Sequence, residues 1–369
     1  MAKSKTSAWP LALAYTVLIL YASLYPFSDW RDQGIVPWFY LTAPLPKYWT
    51  WFDVISNVLG YAPLGFLYAL SAMRSGGARR SAHAVLLASV AGGLLSMTME
   101  GLQSYLPVRV PSNVDLTLNF LGAWLGAVTA YTLEKLGAID HWSRFRARWF
   151  VRDARGALVL LALWPVALLF PTPVPFGLGQ VMERLEAALA DALQGTPFLA
   201  WLPVRDVELQ PLLPFAGLLC ALLGVLIPYL LGYCIISSKR RRALFMAGTI
   251  GVGIGATALS DALSYGPAHA WGWFRLPVQV GLAAAVLFGL ALLALPRRAC
   301  AALLLLALAL QLALLNQAPA SNYFSQTLQT WEQGKFIRFH GFIQWLGWVW
   351  PFAALIYVLV RVSRRDPEP

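Results

Sequence analysis

"SVAGGLLSMTMEGLQSYLPVRVPSNVDLTLNFLGAWLG", residues 89–126, decides how the rest of the chain is read. Two apolar runs flank a short stretch that carries Glu100, Gln103, Arg109, Asp115 and Asn119. A spanning helix needs roughly 20 mostly apolar residues, and lipid cannot satisfy an open backbone, so each run predicts a transmembrane helix. The polar stretch is then a loop and the two helix ends that meet it. A loop accounts for Arg109, but Glu100 lies inside its apolar run. A charged side chain costs roughly 2.5–3.5 kcal/mol at the bilayer centre and less near its edge, and an intramembrane ionisable residue is a functional candidate by default.

The whole chain shares this character. Of its 369 residues 59% are hydrophobic and 12% charged, where a soluble domain carries about 25% charged. Apolar runs at about 8–26, 54–73, 82–106, 114–134, 156–174, 211–236, 243–263, 276–296, 299–316 and 341–361 predict an all-α polytopic bundle of about ten spans. The run from Ala8 to Tyr25 follows Lys3 and Lys5 and ends in Tyr-Pro-Phe. It lacks a small-residue cleavage site and is expected to be a retained first span. Cys220, Cys234 and Cys300 lie within apolar runs and read as small apolar side chains, not as a disulfide framework.

Charge placement predicts the topology. Twenty of the 28 Lys and Arg residues fall at the termini and in alternate loops, around Arg74–Arg80, Lys135–Arg155, Lys239–Arg242 and Arg297–Arg298. By the positive-inside rule both termini are cytoplasmic. The net charge of +11 is then a topology signal, and no nucleic-acid partner is expected. The predicted organisation is a four-span domain over 1–135, a basic cytoplasmic linker over 136–155 and a six-span region over 156–369. On the other side, residues 27–53 are rich in Trp, Tyr and Pro, as suits the headgroup level. Residues 177–195 place Met182, Leu185, Leu189 and Ala192 on one helical face and Glu183, Glu186 and Asp191 on the other. That pattern fits a helix lying in the interface or packed on the protein's outer surface. Tyr323, Phe324, Leu328 and Trp331 repeat the idea over 323–331.

The second span opens with Asp53, Asn57 and Gly60, and the fourth with Asp115, Asn119 and Gly122. The spacing Asp-x-x-x-Asn-x-x-Gly places each Asp a turn above its Asn, with the Gly where another backbone can come close. Each Asp could simply cap its helix, and each Asn could simply bond a neighbouring helix. The functional reading is an outward-facing polar pocket, with Glu100, Gln103, Arg109, Asp115 and Asn119 on one wall and Asp53 and Asn57 on the other. Glu100 and Asp115 are the candidate catalytic groups, since a carboxyl in a low-dielectric site suits general acid or base work. Asp53, Asn57, Gln103, Arg109 and Asn119 are candidate ligand-binding residues. The Arg109 fork suits a phosphate or carboxylate, and Asp53 with Asp115 could hold a hard divalent cation through oxygen. His83, His141, His269 and His340 are scattered, and no zinc spacing, Walker loop or dinucleotide fingerprint occurs. No metal centre or cofactor is predicted.

"NVLGYAPLGFL" (57–67), "EGLQ" (100–103), Arg109 and "DLTLNFLGAWLG" (115–126) together resemble the VanZ family of bacterial membrane proteins, named for a teicoplanin-resistance accessory protein. The resemblance covers about residues 15–130. One departure is Tyr61-Ala62 before Pro63, where the family commonly has a bulkier pair. The resemblance implies a four-span domain in the bacterial inner membrane and a link to the cell envelope or to glycopeptide tolerance.

Residues 156–369 resemble no such family, but they echo the first half. "LLFPTPVPF" (168–176) is similar to "SLYPF" (23–27), "QPLLPFAGLLCAL" (210–222) to "YAPLGFLYAL" (61–70), and "LSDALSYGP" (259–267) to "MEGLQSYLP" (99–107). Asp261 then falls near the place of Glu100. Three functions fit: a protein that binds or modifies a membrane lipid or lipid-linked glycan precursor, a scaffold whose polar cluster locks helices, and a transporter or flippase. The last needs a polar path inward, and the inner halves of the first four spans offer little beyond small hydroxyls such as Ser71, Ser89 and Ser96.

Overall fold

The computed structural model describes residues 8–45 (except 26 and 28), 51–76, 81–319 (except 152, 171, 173, 203–208, 210 and 211) and 337–363. Residues 323–331 lie outside the described residues. Twelve α-helices are described, and no strand: α1 (Ala8–Leu24), α2 (Trp51–Gly76), α3 (Ser81–Gln103), α4 (Asn113–Lys135), α5 (Ala138–Trp149), α6 (Arg155–Ala167), α7 (Met182–Ala192), α8 (Pro214–Ile235), α9 (Lys239–Tyr265), α10 (Leu276–Ala291), α11 (Arg297–Leu315) and α12 (Ile337–Ser363). Eight of them are long and apolar enough to cross a membrane, and α1 and α6 are shorter apolar helices. The chain is a multi-pass helical membrane protein.

It forms two compact units, Met1–Arg146 and Ala147–Pro369. In the first, α2 packs on α4, and α3 on both. Small residues set this crossing. A Cβ on Gly122 or Gly126 would strike the carbonyl oxygen of Val58 or Ala62, and one on Gly65 that of Ala123. Two backbones can approach this closely only where side chains are missing. Of the two glycines expected to admit a neighbouring backbone, Gly122 does so; Gly60 faces open space and offers its carbonyl to the Tyr15 hydroxyl.

In the second unit α8 is the core, buried from Cys220 to Ile235 between α10 and α11. The helix expected over 156–174 ends at Ala167. Pro165 lies within it and Pro171, Pro173 and Pro175 follow, and their lost donors and ring clashes stop it. The chain continues as buried non-helical backbone over Phe176–Gly179. Such backbone is tolerated at membrane depth where protein surrounds it, and the Phe176 carbonyl duly accepts from Gln311 Nε2 at 3.2 Å.

The stretch 136–155, expected to be a linker, contains α5. The helix expected within 177–195 is α7. None of its residues is buried, and Met182, Leu185 and Leu189 are exposed. Asn316 Oδ1 accepts from the amides of Val181 and Met182, a helix cap supplied from α11's end.

One buried cation organises the second unit. Arg242, 3% exposed, donates from Nε to the Ile236 carbonyl, from Nη1 to Leu293 and Leu295, and from Nη2 to Tyr233. These are the orphan carbonyls where α8 and α10 end. The sequence reading counted Arg242 only as a topology charge.

Candidate functional site

The polar residues singled out in the first unit gather where the N-terminal ends of α2 and α4 meet the C-terminal end of α3. Glu100, on the last turn of α3, is 4% exposed and accepts the Ser112 amide at 2.8 Å. Ser112 in turn caps α4, its Oγ accepting from the amides of Val114 and Asp115. One carboxylate thus fixes the entry of the next helix. Asp115 and Arg109 both lie within electrostatic range of Glu100.

The two Asp–Asn pairs do not act as separate stacked pairs. They cross between helices: Asn57 Nδ2 on α2 donates to Asp115 Oδ1 on α4 at 2.7 Å. Asn119, 5% exposed, donates from Nδ2 to Ser96 Oγ on α3 at 2.9 Å. Asp53 lies on the first turn of α2, half-buried. The sequence spacing placed these residues near the ends of their helices, but the partners depend on how α2 and α4 cross, which no single helix records.

Gln103 and Arg109 are turned toward α1. Gln103 Nε2 donates to the Ser23 carbonyl at 2.9 Å. Arg109 Nη2 donates to the carbonyls of Ala22 and Tyr25 at 2.9 and 2.8 Å. Both satisfy the open end of α1. The segment 29–45 lies over the α3–α4 loop: Gln33 Nε2 donates to the Ser104 carbonyl and the Tyr40 hydroxyl to Met97. Trp38 rests against Gly101 and remains half exposed. Burial first, and the nearby Glu100 charge second, push the Tyr40 phenol above its ordinary pKa.

Below the carboxylates lie polar atoms that the fold does not use. Asn119 Oδ1, Asn113 Oδ1 and the Tyr61 hydroxyl are buried and have no hydrogen-bond partner among the described residues. Tyr61, 5% exposed, lies beside Ser96 and Ser23. In the sequence Tyr61 stands out only as a departure from the family pattern. Its hydroxyl and the Asn119 amide share Ser96 as a neighbour. Ser96 and Ser112 were also missed as partners, and the short spacing from Ser112 to Asp115 was the available capping signal.

Chemically the cluster offers two carboxylates, two amides, a phenol and a serine, with a guanidinium at its edge. Such groups suit hydroxyl, amine or amide donors of a ligand. Among the described residues no three His, Cys, Asp or Glu groups converge as metal ligands.

Comparison with known proteins places this unit. No curated protein and no solved structure gives a significant match. Residues 8–134 match the family model described as VanZ/LLP1, which takes in α1–α4 and every residue of the cluster. This multi-pass membrane protein is therefore similar to the VanZ/LLP1 family over residues 8–134.

Proposed function

We propose that the first unit binds, and through Glu100 and Asp115 modifies, the polar head of a lipid-linked cell-envelope precursor at the outer face of the bacterial inner membrane. One observation carries this: a buried acceptor and a hydroxyl, Asn119 Oδ1 and Tyr61 Oη, have no hydrogen-bond partner among the described residues and lie near a buried carboxylate. A buried polar group without a partner costs about 1–3 kcal/mol. A sugar or peptide head group that supplies donors and an acceptor would recover that cost. Exposed Trp30, Trp38 and Phe39 suit the headgroup level above it, and Arg109 brings positive charge for a phosphate. The charge distribution supports cytoplasmic termini, and the family resemblance supports a role in glycopeptide tolerance.

A second reading, a helix lock, has its own support: Glu100, Gln103 and Arg109 are each engaged by backbone groups of the same unit. Thermal unfolding of the detergent-solubilised protein separates the two. A polyprenyl-phosphate-linked sugar at about 100 times its Kd should stabilise the protein by roughly 2.7 kcal/mol, with polyprenyl phosphate alone doing less. The Glu100→Gln variant should fold and lose the difference. Equal stabilisation of both proteins by both lipids, or none of either, would leave the helix lock as the function.

A further inference from the structure

Several unusual features of the first unit recur in the second at nearly constant distance in the chain. Glu100 accepts the Ser112 amide at 2.8 Å, and Asp261 on α9 lies close to the Trp273 amide, in each case twelve residues on. On the same helices buried Gly92 and Ser96 correspond to buried Gly253 and Thr257, all displaced by 161. Gly122 of α4 lies over the Val58 carbonyl of α2, and Gly281 of α10 lies over the Leu218 carbonyl of α8. Those pairs are displaced by 159 and 160. Only three non-glycine residues among those described have positive φ, and two are Phe27 at 62° and Phe176 at 63°. Each follows a proline, in the segment after the first helix of its unit's set. Left-handed backbone at a bulky residue is a true outlier, so its recurrence at one topological place is weighty. The basic loops recur as well, at Arg74–Arg80 and Lys239–Arg242, and at Lys135 and Arg297–Arg298.

We infer that α6, α8, α9 and α10 are a second, diverged copy of α1–α4, in which Asp261 and the Trp273 amide keep the place of Glu100 and Ser112 while the site around them has closed. The register set by the glycine contacts puts Gly217, Phe274 and Val278 where the first copy has Asn57, Asp115 and Asn119. Every ligand-side amide and the second carboxylate are gone. Thr257, in the place of Ser96, is buried with its Oγ1 unpartnered among the described residues, as expected once the asparagine that bonds Ser96 is replaced by valine.

The corner has also moved inward. Phe27 is 46% exposed, whereas Phe176 is 1% exposed, seated against Gly224 and Gly253. A Cβ on Gly92 would meet Ala123 of α4, but one on Gly253 would meet Trp164 and Phe176. The phenylalanine thus occupies the face of the third helix that the fourth helix takes in the first copy. The helix α7 is an insertion between α6 and α8. That the second copy is silent rests on the proposed function; the duplication does not.

A parallel duplication fixes the side of the membrane on which each corresponding loop lies. The test is not trivial, because α6 has 13 residues, about 20 Å, against a hydrocarbon core of about 30 Å. Single cysteines at exposed positions of the full chain, probed with an impermeant maleimide in spheroplasts, read this directly; native Cys220, Cys234 and Cys300 are buried. Asp32→Cys with Gln194→Cys, and Val110→Cys with His269→Cys, should be labelled in intact spheroplasts. His83→Cys with Ser237→Cys, and Leu136→Cys with Ala294→Cys, should be labelled only after permeabilisation. Any of the four pairs splitting across the membrane overturns the duplication, as would happen throughout the later pairs if α6 only dips into the bilayer. Loss of ligand response in the first unit would leave this result unchanged.

Discussion

Arg242→Ala should be the most damaging single substitution in the second unit, lowering stability by about 3 kcal/mol or more. The guanidinium donates to four backbone carbonyls at 2.7–2.9 Å, two at the end of α8 and two beyond α10. Without it those carbonyls are stranded in a buried place, at about 1–3 kcal/mol each before water and backbone relax. The Tyr233 ring, 5.3 Å from the guanidinium carbon, loses its cation as well. Lysine should recover only part of the loss, because a point charge cannot reproduce a planar fork reaching several acceptors. Thermal unfolding in detergent checks this, with a drop on the order of 10 °C expected. Exposed Arg240 is the control, and its replacement by alanine should stay within about 0.5 kcal/mol.

In the first unit the decisive position is a glycine. Gly126→Ala should cost about 1–3 kcal/mol, because the added methyl meets the Ala62 carbonyl. A backbone atom cannot swing aside as a side chain would. The helices must part, and the Asn57–Asp115 bond, which spans the same crossing, must lengthen or break. Stability and ligand response should therefore fall together. Gly60→Ala tests the logic with the same chemistry and the opposite sign. Its Cβ meets nothing within 4 Å, so relief of glycine's entropy in a helix should make it neutral or stabilising by about 0.5–1 kcal/mol. Melting curves for the two variants should lie on opposite sides of the parent.

The contrast between these glycines shows what the sequence could record. Helix identity was legible because lipid demands length and apolarity, and α2–α4 and α8–α12 follow the apolar runs closely. The run 156–174 misled because proline is compatible with an apolar composition while ending a helix. Position along the helices was legible too: Glu100, Asp115 and Asn119 lie toward one end of α3 and α4, as their distances from the span termini require. Partners were not legible. Gly60 and Gly122 share one motif, yet only Gly122 faces a neighbouring backbone, since which face meets a partner depends on the crossing. For the same reason Arg109 and Gln103 turned out to hold α1, Asn57 found Asp115, and Arg242 proved to join two helix ends. Tyr61 was noted only as a departure from the family pattern, because the burial of its hydroxyl beside Ser96 depends on how the helices cross.

The central claim is that the cluster around Glu100 is a ligand site and not only a lock. Its most direct test is mass spectrometry of the lipids that co-purify with the parent protein and with Glu100→Gln and Asn119→Ala, compared at matched thermal stability. The account predicts a phosphorylated, glycan-bearing lipid enriched with the parent and depleted in both variants. The same lipid profile in all three proteins would contradict it and leave the cluster as a device for holding helices together.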